Sequence, residues 1–528
     1  MITIHNLSYI HPNKDLLFSN VQLVVNSKQK IALIGNNGVG KSTLLKIIAE
    51  EILPSTGQIS VDANVYHIPQ IYGQYNHVTV AEALRVHKKI NALQEILNGN
   101  ATDKYLDILN DDWTIEDRCK EALEYWDLLS LDLNQKIGSL SGGQKTKVFL
   151  AGLTIHKPSV ILLDEPSNHL DIDSRSKLYK FIQSSQSTMV IVSHDRTLLN
   201  LLDTVCELSA KGINVYGGNY AFYSDQKAHE LDTLNQNLKN KERAFKQARE
   251  KERETVERQQ KLDNRGKQKQ EKAGVARIMM NTLRNKAENS TSKLKTVHTE
   301  KIDSLSKELN TLRSSLPDTD QMRFGFDNSG LHKGKTLFTA NDVNYTYQEK
   351  SVWPDVLNFK IVSGEKILLK GANGSGKTTL IRMIFGHIKP TEGTVNKGSF
   401  SSIYIDQDYS LINDNLNVYQ QAQRYNMSSL QEHEIKTRLN RFLFDKHDWD
   451  KPCSVLSGGE KMRLLLCCLN IQNIAPDMIV LDEPTNNLDI RNVEILTSAI
   501  KEYQGTLIVV SHDQSFLNEI DLERIISL

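Results

Sequence analysis

Long apolar runs are missing from this sequence. Nowhere among its 528 residues is there a stretch approaching the roughly 18 consecutive apolar residues that cross a bilayer. The first residues, Met1-Ile2-Thr3-Ile4-His5, lack the basic and apolar regions of a signal peptide. A cytoplasmic protein with no membrane-embedded part is therefore expected. Cysteine is scarce too. Cys119, Cys206, Cys453, Cys467 and Cys468 form no C-x-x-C pair and no metal-ligand spacing. Neither a disulfide framework nor a zinc module is expected, only small buried residues in a reducing compartment. Net charge is absent as well: 64 Lys and Arg stand against 64 Asp and Glu, which excludes a uniformly basic chain but not a local basic patch.

What is present is a repeat. Gly35-Asn36-Asn37-Gly38-Val39-Gly40-Lys41-Ser42-Thr43 recurs as Gly371-Ala372-Asn373-Gly374-Ser375-Gly376-Lys377-Thr378-Thr379. Ser141-Gly142-Gly143-Gln144 recurs as Ser457-Gly458-Gly459-Glu460, Asp164-Glu165-Pro166 as Asp482-Glu483-Pro484, and Ser193-His194-Asp195 as Ser511-His512-Asp513. Asp164 to His194 and Asp482 to His512 are the same distance apart, as two copies of one fold require. Each copy feeds an apolar run into a Gly-rich turn and a helical pattern, then adds two more apolar runs. That reads as an α/β domain with a largely parallel core sheet. The copies cover residues 1–224 and 335–528, with a connector at 317–334.

Proline is absent from the charge-rich text between them, 225–316. Leu231, Leu234, Leu238, Phe245 and Ala248 keep one heptad-like seam; Ile302, Leu305, Leu309, Leu312 and Leu316 keep another. The pattern lapses over 264–292, which contains Gly266 and Gly274. Two helices folded back as an antiparallel hairpin are expected, with an arm ending near Leu262 and about 60 Å long. Charge is uneven along it. Arg258, Lys261, Arg265, Lys267, Lys269, Lys272, Arg277, Arg284, Lys286, Lys293 and Lys295 face only Asp263, Glu271 and Glu288 across 258–295, the expected tip. That excess suits several phosphate contacts, hence RNA; a solvated charged loop is the plainer alternative. Ile278, Met279, Met280 and Leu283 sit within the tip and would need a base, a tRNA or a turn to pack on.

The repeated motifs carry phosphate chemistry. G-x-x-x-x-G-K-[ST] is a Walker A loop, whose backbone N–H groups wrap phosphates at a helix N-terminus. Lys41 and Lys377 are expected on the β- and γ-phosphates, and the Ser42 and Thr378 hydroxyls on Mg²⁺. Asp164 and Asp482 close apolar strands as Walker B carboxylates for the same Mg²⁺. Glu165 and Glu483 follow as candidate general bases for the attacking water. His194 and His512 are set to contact the γ-phosphate, and Gln70 and Gln407, after the runs 65–68 and 403–405, to link Mg²⁺ or its water to a neighbouring subdomain.

With the L-S-G-G-[QE] element added, the motif order resembles the ABC ATPase family across nearly all of both copies. The resemblance implies ATP hydrolysis at two sites shared between the cassettes of one chain. The signature residues Ser457, Gly458, Gly459 and Glu460 would meet the nucleotide of Lys41, Glu165 and His194; Ser141, Gly142, Gly143 and Gln144 would meet that of Lys377, Glu483 and His512. It further implies coupling loops at Asp171 and Asp489, and an upstream aromatic under adenine: Tyr9 or His11 in the first cassette, Tyr345 or Tyr347 in the second. Tandem cassettes, no membrane domain and a helical linker entered through Tyr216-Gly217-Gly218-Asn219-Tyr220 resemble the ABC-F group of translation factors. A membrane-transporter ATPase and a DNA-associated ABC ATPase are the alternatives. The ABC-F resemblance implies a ribosome partner, with ribosomal RNA and tRNA met near the exit and peptidyl-transferase sites, and in some members resistance to ribosome-targeting antibiotics. The first cassette is longer than the second between Gln70 and its signature. The surplus over 85–129, with Trp113 and Trp126, is either a short version of the group's arm or a variable helical subdomain. The sequence ends at Leu528, so the C-terminal extension of some relatives is not expected.

Overall fold

The computed structural model describes residues 1–12, 15–70, 73–272, 296, 299–313, 332–347, 350–372, 374–427, 429–472, 475–486 and 488–528. Both cassettes have the expected α/β build. The first contains β1 (Ile2–Ile10), β2 (Leu16–Val25), β3 (Lys30–Ile34), β4 (Thr56–Val61), β5 (Val65–Ile68), β6 (Val160–Asp164), β7 (Thr188–Val192), β8 (Thr204–Ser209) and β9 (Gly212–Tyr216). Every residue of β6 and β7 is buried, as unbroken Val, Ile and Leu runs are when helices cover both faces of a parallel sheet. The sheet order is β5-β6-β7-β3-β8-β9, parallel except for β9, which turns back on β8. A smaller antiparallel sheet, β2-β1-β4, buries one face: Val21, Leu23 and Val25 are buried between exposed Gln22 and Val24, the period of two that a half-covered strand requires.

The second cassette repeats this plan. Ser402–Ile405, Met478–Asp482, Thr506–Val510, Lys366–Lys370 and Arg524–Ser527 make a parallel sheet in that order, beside an antiparallel one of Leu357–Val362, Thr336–Asn344 and Glu392–Lys397. In both copies the register sets Asp164 opposite Val192 and Asp482 opposite Val510. The Walker A loop, the Walker B end and the loop bearing the His therefore leave the carboxyl edge of adjacent strands, where α/β sheets bind ligands. All five cysteines are buried and unpaired, and among the described residues no helix is long and apolar enough to cross a membrane.

The two cassettes, Met1–Ala221 with Gln321–Leu528, form one compact unit, and Phe222–Asp320 forms a second. The second unit holds most of a 53-residue helix, Tyr220–Lys272, about 80 Å long at 1.5 Å per residue. It runs through Asn264 and Gly266 rather than stopping near Leu262 as the seam suggests. One interior glycine costs about 1 kcal/mol, too little to halt a run otherwise rich in Lys, Gln, Glu and Arg. Leu231, Leu234 and Leu238 are half-buried along this helix. On the helical segment 299–313, Ile302, Leu305 and Leu312 are half-buried and Leu309 is buried. The two helices lie side by side there, tied by ion pairs from Lys241 to Glu308 and from Arg313 to Glu242. Exposed pairs of this kind add little energy, so the seam residues supply the attraction. Arg277, Arg284, Lys286, Lys293, Lys295 and the apolar tip residues lie outside the described residues.

The insertion over 85–129 folds into three short helices, His87–Leu97, Asp103–Leu109 and Ile115–Tyr125. Ile115, Cys119, Ala122 and Leu123 bury one face of the last, which packs on the helix Gly142–His156, and Arg118 reaches the Ile155 carbonyl. Trp126 is buried and Trp113 half-exposed.

Candidate active site

Each Walker A loop ends on a glycine in the left-handed region, Gly40 at φ 102° and Gly376 at φ 90°. No side chain fits there: a Cβ on Gly40 would come within 2.6 Å of Leu17. The helices Lys41–Ile48 and Lys377–Phe385 follow at once, so the first helical N–H groups face the loop's hollow. Lys41 folds back to donate to the Gly35 and Asn36 carbonyls at 2.7 and 3.2 Å, and Lys377 donates to Gly371 and Ala372, both at 2.8 Å. Asn373 lies outside the described residues. Burial, offset by nearby carboxylates, lowers both ammonium pKa values.

Glu165 and Glu483 adopt positive φ, 52° and 48°, an uncommon and costly conformation for a residue with a Cβ. Each is pinned by its own N–H, which donates to Val192 and Val510 at 2.9 and 2.8 Å. The hooked backbone aims the carboxylates at the histidines on the neighbouring strand ends: Glu165 lies 3.3 Å from His194 Nε2 and Glu483 3.4 Å from His512 Nε2. These contacts are not ion pairs at neutral pH. Burial lowers both imidazole pKa values, that of His512 to about 4. Burial raises Glu165 to about 8 and Glu483 to about 7, each pushed further by the adjacent Walker B aspartate. Glu165 Oε1, Glu483 Oε1, His194 Nδ1 and both ring nitrogens of His512 have no hydrogen-bond partner among the described residues. Buried polar atoms are rarely left so; a polyphosphate and its attacking water would supply what they lack.

That geometry has a consequence for the ligand-free chain. A carboxyl whose folded pKa is raised stabilises fully below its unfolded value near 4.5 and loses that contribution as pH rises through the folded value. Between pH 5 and 8.5 the melting temperature should therefore fall faster in the wild type than in Glu165→Gln/Glu483→Gln, by about 5 °C. The depressed histidines act in the opposite sense but are common to both chains. Parallel melting curves in a pH series would refute the assignment.

A cavity of 420 Å³ gathers Asn37, Gly38, Gly40, Lys41, Ser42, Thr43, Gln70, Asp164, Glu165 and His194 of the first cassette with Ser457 and Gly458 of the second. His11 and Leu17 also line it, whereas Tyr9 packs toward Phe18; His11 is thus the candidate of the two that reaches the hollow. Ser42 hydrogen-bonds Asp164, so a hydroxyl and a carboxylate suited to Mg²⁺ already adjoin each other. A second cavity of 270 Å³ gathers Gln407, Glu483 and His512 with Ser141, Gly142 and Gly143 of the opposite cassette. Here Tyr404 donates to Asp482 at 2.7 Å, a partner the motifs did not suggest. Tyr345 and Tyr347 contact each other edge-on, and neither lines this cavity. The Walker A loop is instead steadied by Trp353, whose Nε1–H donates to the Ser375 carbonyl at 3.0 Å.

Gln144 and Glu460 line neither cavity. Each is the third residue of a capping box: Gln144 accepts from Ser141 N at 3.0 Å and Glu460 from Ser457 N at 2.7 Å, with the serine hydroxyls accepting in return. Their work is to fix the signature serine at the helix start. Asp171 and Asp489 cap the helices Ile172–Ser184 and Ile490–Glu502, and Asp489 also accepts from Asn37 N of the other cassette at 3.3 Å.

One cavity that joins a P-loop to the opposite signature serine, and a second that joins the other glutamate and histidine to theirs, define a nucleotide-sandwich ATPase. The sequence profile of the "ABC transporter" family matches residues 18–168 and 354–486. The ATP-binding protein YdiF of Bacillus subtilis is 32% identical over 96% of this chain and 77% of its own. ABC transporter F family member 5 of Arabidopsis thaliana is 28% identical over 96% and 72%. The energy-dependent translational throttle protein EttA of Escherichia coli is 29% identical over 98% and 90%. In fold, the chain is similar to the archaeal ribosome recycling factor aABCE1, solved in complex with the ribosomal stalk protein aP1. The TM-score is 0.57, with 19% identity over 99% of this chain and 87% of that one. The chain belongs to the ABC-F family of ABC ATPases, and its chemistry is the hydrolysis of ATP with Mg²⁺.

Proposed function

We propose that this chain uses ATP to enter and leave a ribosome-bound state and acts on translation through its linker. The observation that carries the reading is the presence of Ser457 and Gly458 in the cavity of Lys41, Glu165 and His194. A site completed from both cassettes makes nucleotide binding and cassette closure one equilibrium, and cleavage then reopens it. In each site the Walker lysine meets the β- and γ-phosphates, and the glutamate takes the proton of the attacking water. The histidine and the opposite signature serine hold the γ-phosphate. Ser42 and Asp164, or Thr378 and Asp482, with Gln70 or Gln407 beyond, would hold Mg²⁺, whose charge would offset that of the phosphates.

The basic excess of the linker tip supports a ribosomal RNA and tRNA partner near the exit and peptidyl-transferase sites, and the translational role in EttA's name supports the same placement. The chain works in the cytoplasm, as a monomer with its cassettes paired internally. Protection of ribosomes against antibiotics is a finer form of this reading, tested by drug sensitivity with and without expression. The direct test is sedimentation of lysate containing Glu165→Gln/Glu483→Gln through sucrose. ATP-dependent migration with ribosomes is expected; a chain that stays at the top, or fractionates with membranes, would sink the reading.

A further inference from the structure

The two sites differ in what the opposite cassette brings them. Four residues past Asp171 stands Arg175; four past Asp489 stands Val493. Arg175 is buried and lines the cavity of Glu483, His512 and Ser141. Its Nε donates to the Leu170 carbonyl of its own coupling loop at 3.1 Å. Its Nη1 lies 3.8 Å from Asp195 and crosses the interface to donate to the backbone carbonyl of His512 at 3.1 Å. Neither ring nitrogen of His512 makes a hydrogen bond among the described residues; the ring is placed by its 3.4 Å contact with Glu483 and by its backbone, which Arg175 grips. Val493, also buried, has no donor to offer His194 in the other site. His169 adds to the difference: its Nδ1 lies 3.2 Å from Gln407 Nε2 across the interface, where the second cassette has Asn487 in sequence, a residue outside those described.

We propose that Arg175 is a positioning residue acting in trans for ATP cleavage at the Lys377–Glu483–His512 site, and that the two ATP sites are therefore unequal. Closure docks the guanidinium on the His512 carbonyl and fixes the imidazole that faces the γ-phosphate. The first site closes without such a latch. Both sites touch the opposite coupling loop, the first through Asp489 on Asn37 N, but only the second has its histidine backbone held by a guanidinium. The inference rests on the assignment of Glu165 and Glu483 as the bases.

The test isolates each site. Glu165→Gln leaves the Arg175-latched site competent, and Glu483→Gln leaves the other; each is combined with Arg175→Met and with Arg175→Lys. Cleavage of γ-labelled ATP is followed in single turnover with protein in excess, so that no reopening is needed. In the Glu165→Gln background Arg175→Met should slow cleavage about tenfold or more, with ATP affinity within about twofold, and Arg175→Lys should restore part of the loss. In the Glu483→Gln background both should cleave within about twofold of the parent, which also reports that the chain is folded. Equal slowing in the two backgrounds, or none in either, overturns the proposal. If Arg175→Met is insoluble, Arg175→Lys decides by the same comparison. Cleavage persisting in Glu165→Gln/Glu483→Gln overturns the base assignment, and the Arg175 proposal with it.

Discussion

Replacing Glu165 and Glu483 together by glutamine is expected to slow steady-state ATP hydrolysis by about 10³-fold while leaving ATP binding intact. Glutamine keeps the volume and polar tip of glutamate, so the hooked backbone at φ 52° and 48° and the N–H bonds to Val192 and Val510 have no reason to change. What is lost is the ability to take a proton from water. The phosphate cradle, built from the Walker loops, the lysines and the trans serines, involves neither carboxylate as a ligand-binding charge. With cleavage blocked, the bound triphosphate should dwell longer. Phosphate release measured beside retention of labelled ATP checks both halves. Hydrolysis within tenfold of the wild type would remove these residues from the role of base.

The parts of the site that are read in sequence are those where one residue type at one spacing has one physical use. Gly40 and Gly376 must be glycine because φ is positive and Leu17 or Val352 is against them. Asp164 and Asp482 must end an apolar run because a buried strand delivers them. Contacts made across the fold left no such trace. Tyr404 on Asp482, Trp353 on the Ser375 carbonyl and Arg175 on the His512 carbonyl join residues far apart in the chain, and nothing local marks them. The Gln144 and Glu460 side chains show a second use of a motif position: expected at the nucleotide, they also cap the signature helix. A comparison of the two copies would have found Arg175 opposite Val493, because a repeat exposes asymmetry without an alignment. The linker helix passes the end of its seam for a different reason. Periodicity reports where a helix packs, and the helix Tyr220–Lys272 outlasts its seam.

That overrun places a dense row of cations on one helix end, and the second large effect follows from it. From Asp225 to Glu257 eight Lys and Arg are matched by eight Asp and Glu, whereas Arg258, Lys261, Arg265, Lys267, Lys269 and Lys272 meet only Asp263 and Glu271 before the helix ends. If these six neutralise RNA phosphates, changing all six to glutamine should weaken ATP-dependent ribosome binding by about 10²-fold or more near physiological salt. The slope of log affinity against log salt should become shallower by about 4, near 0.7 per lost phosphate contact. ATP hydrolysis without ribosomes should not change, since no cation of the six belongs to either cassette. The informative control replaces six stem cations, Lys239, Lys241, Arg243, Lys246, Arg249 and Lys251, which sit among acids and should alter the slope by less than about 1. An equal loss of slope in both variants would mean that the linker contributes only diffuse charge, and the assignment of its end to RNA would fail.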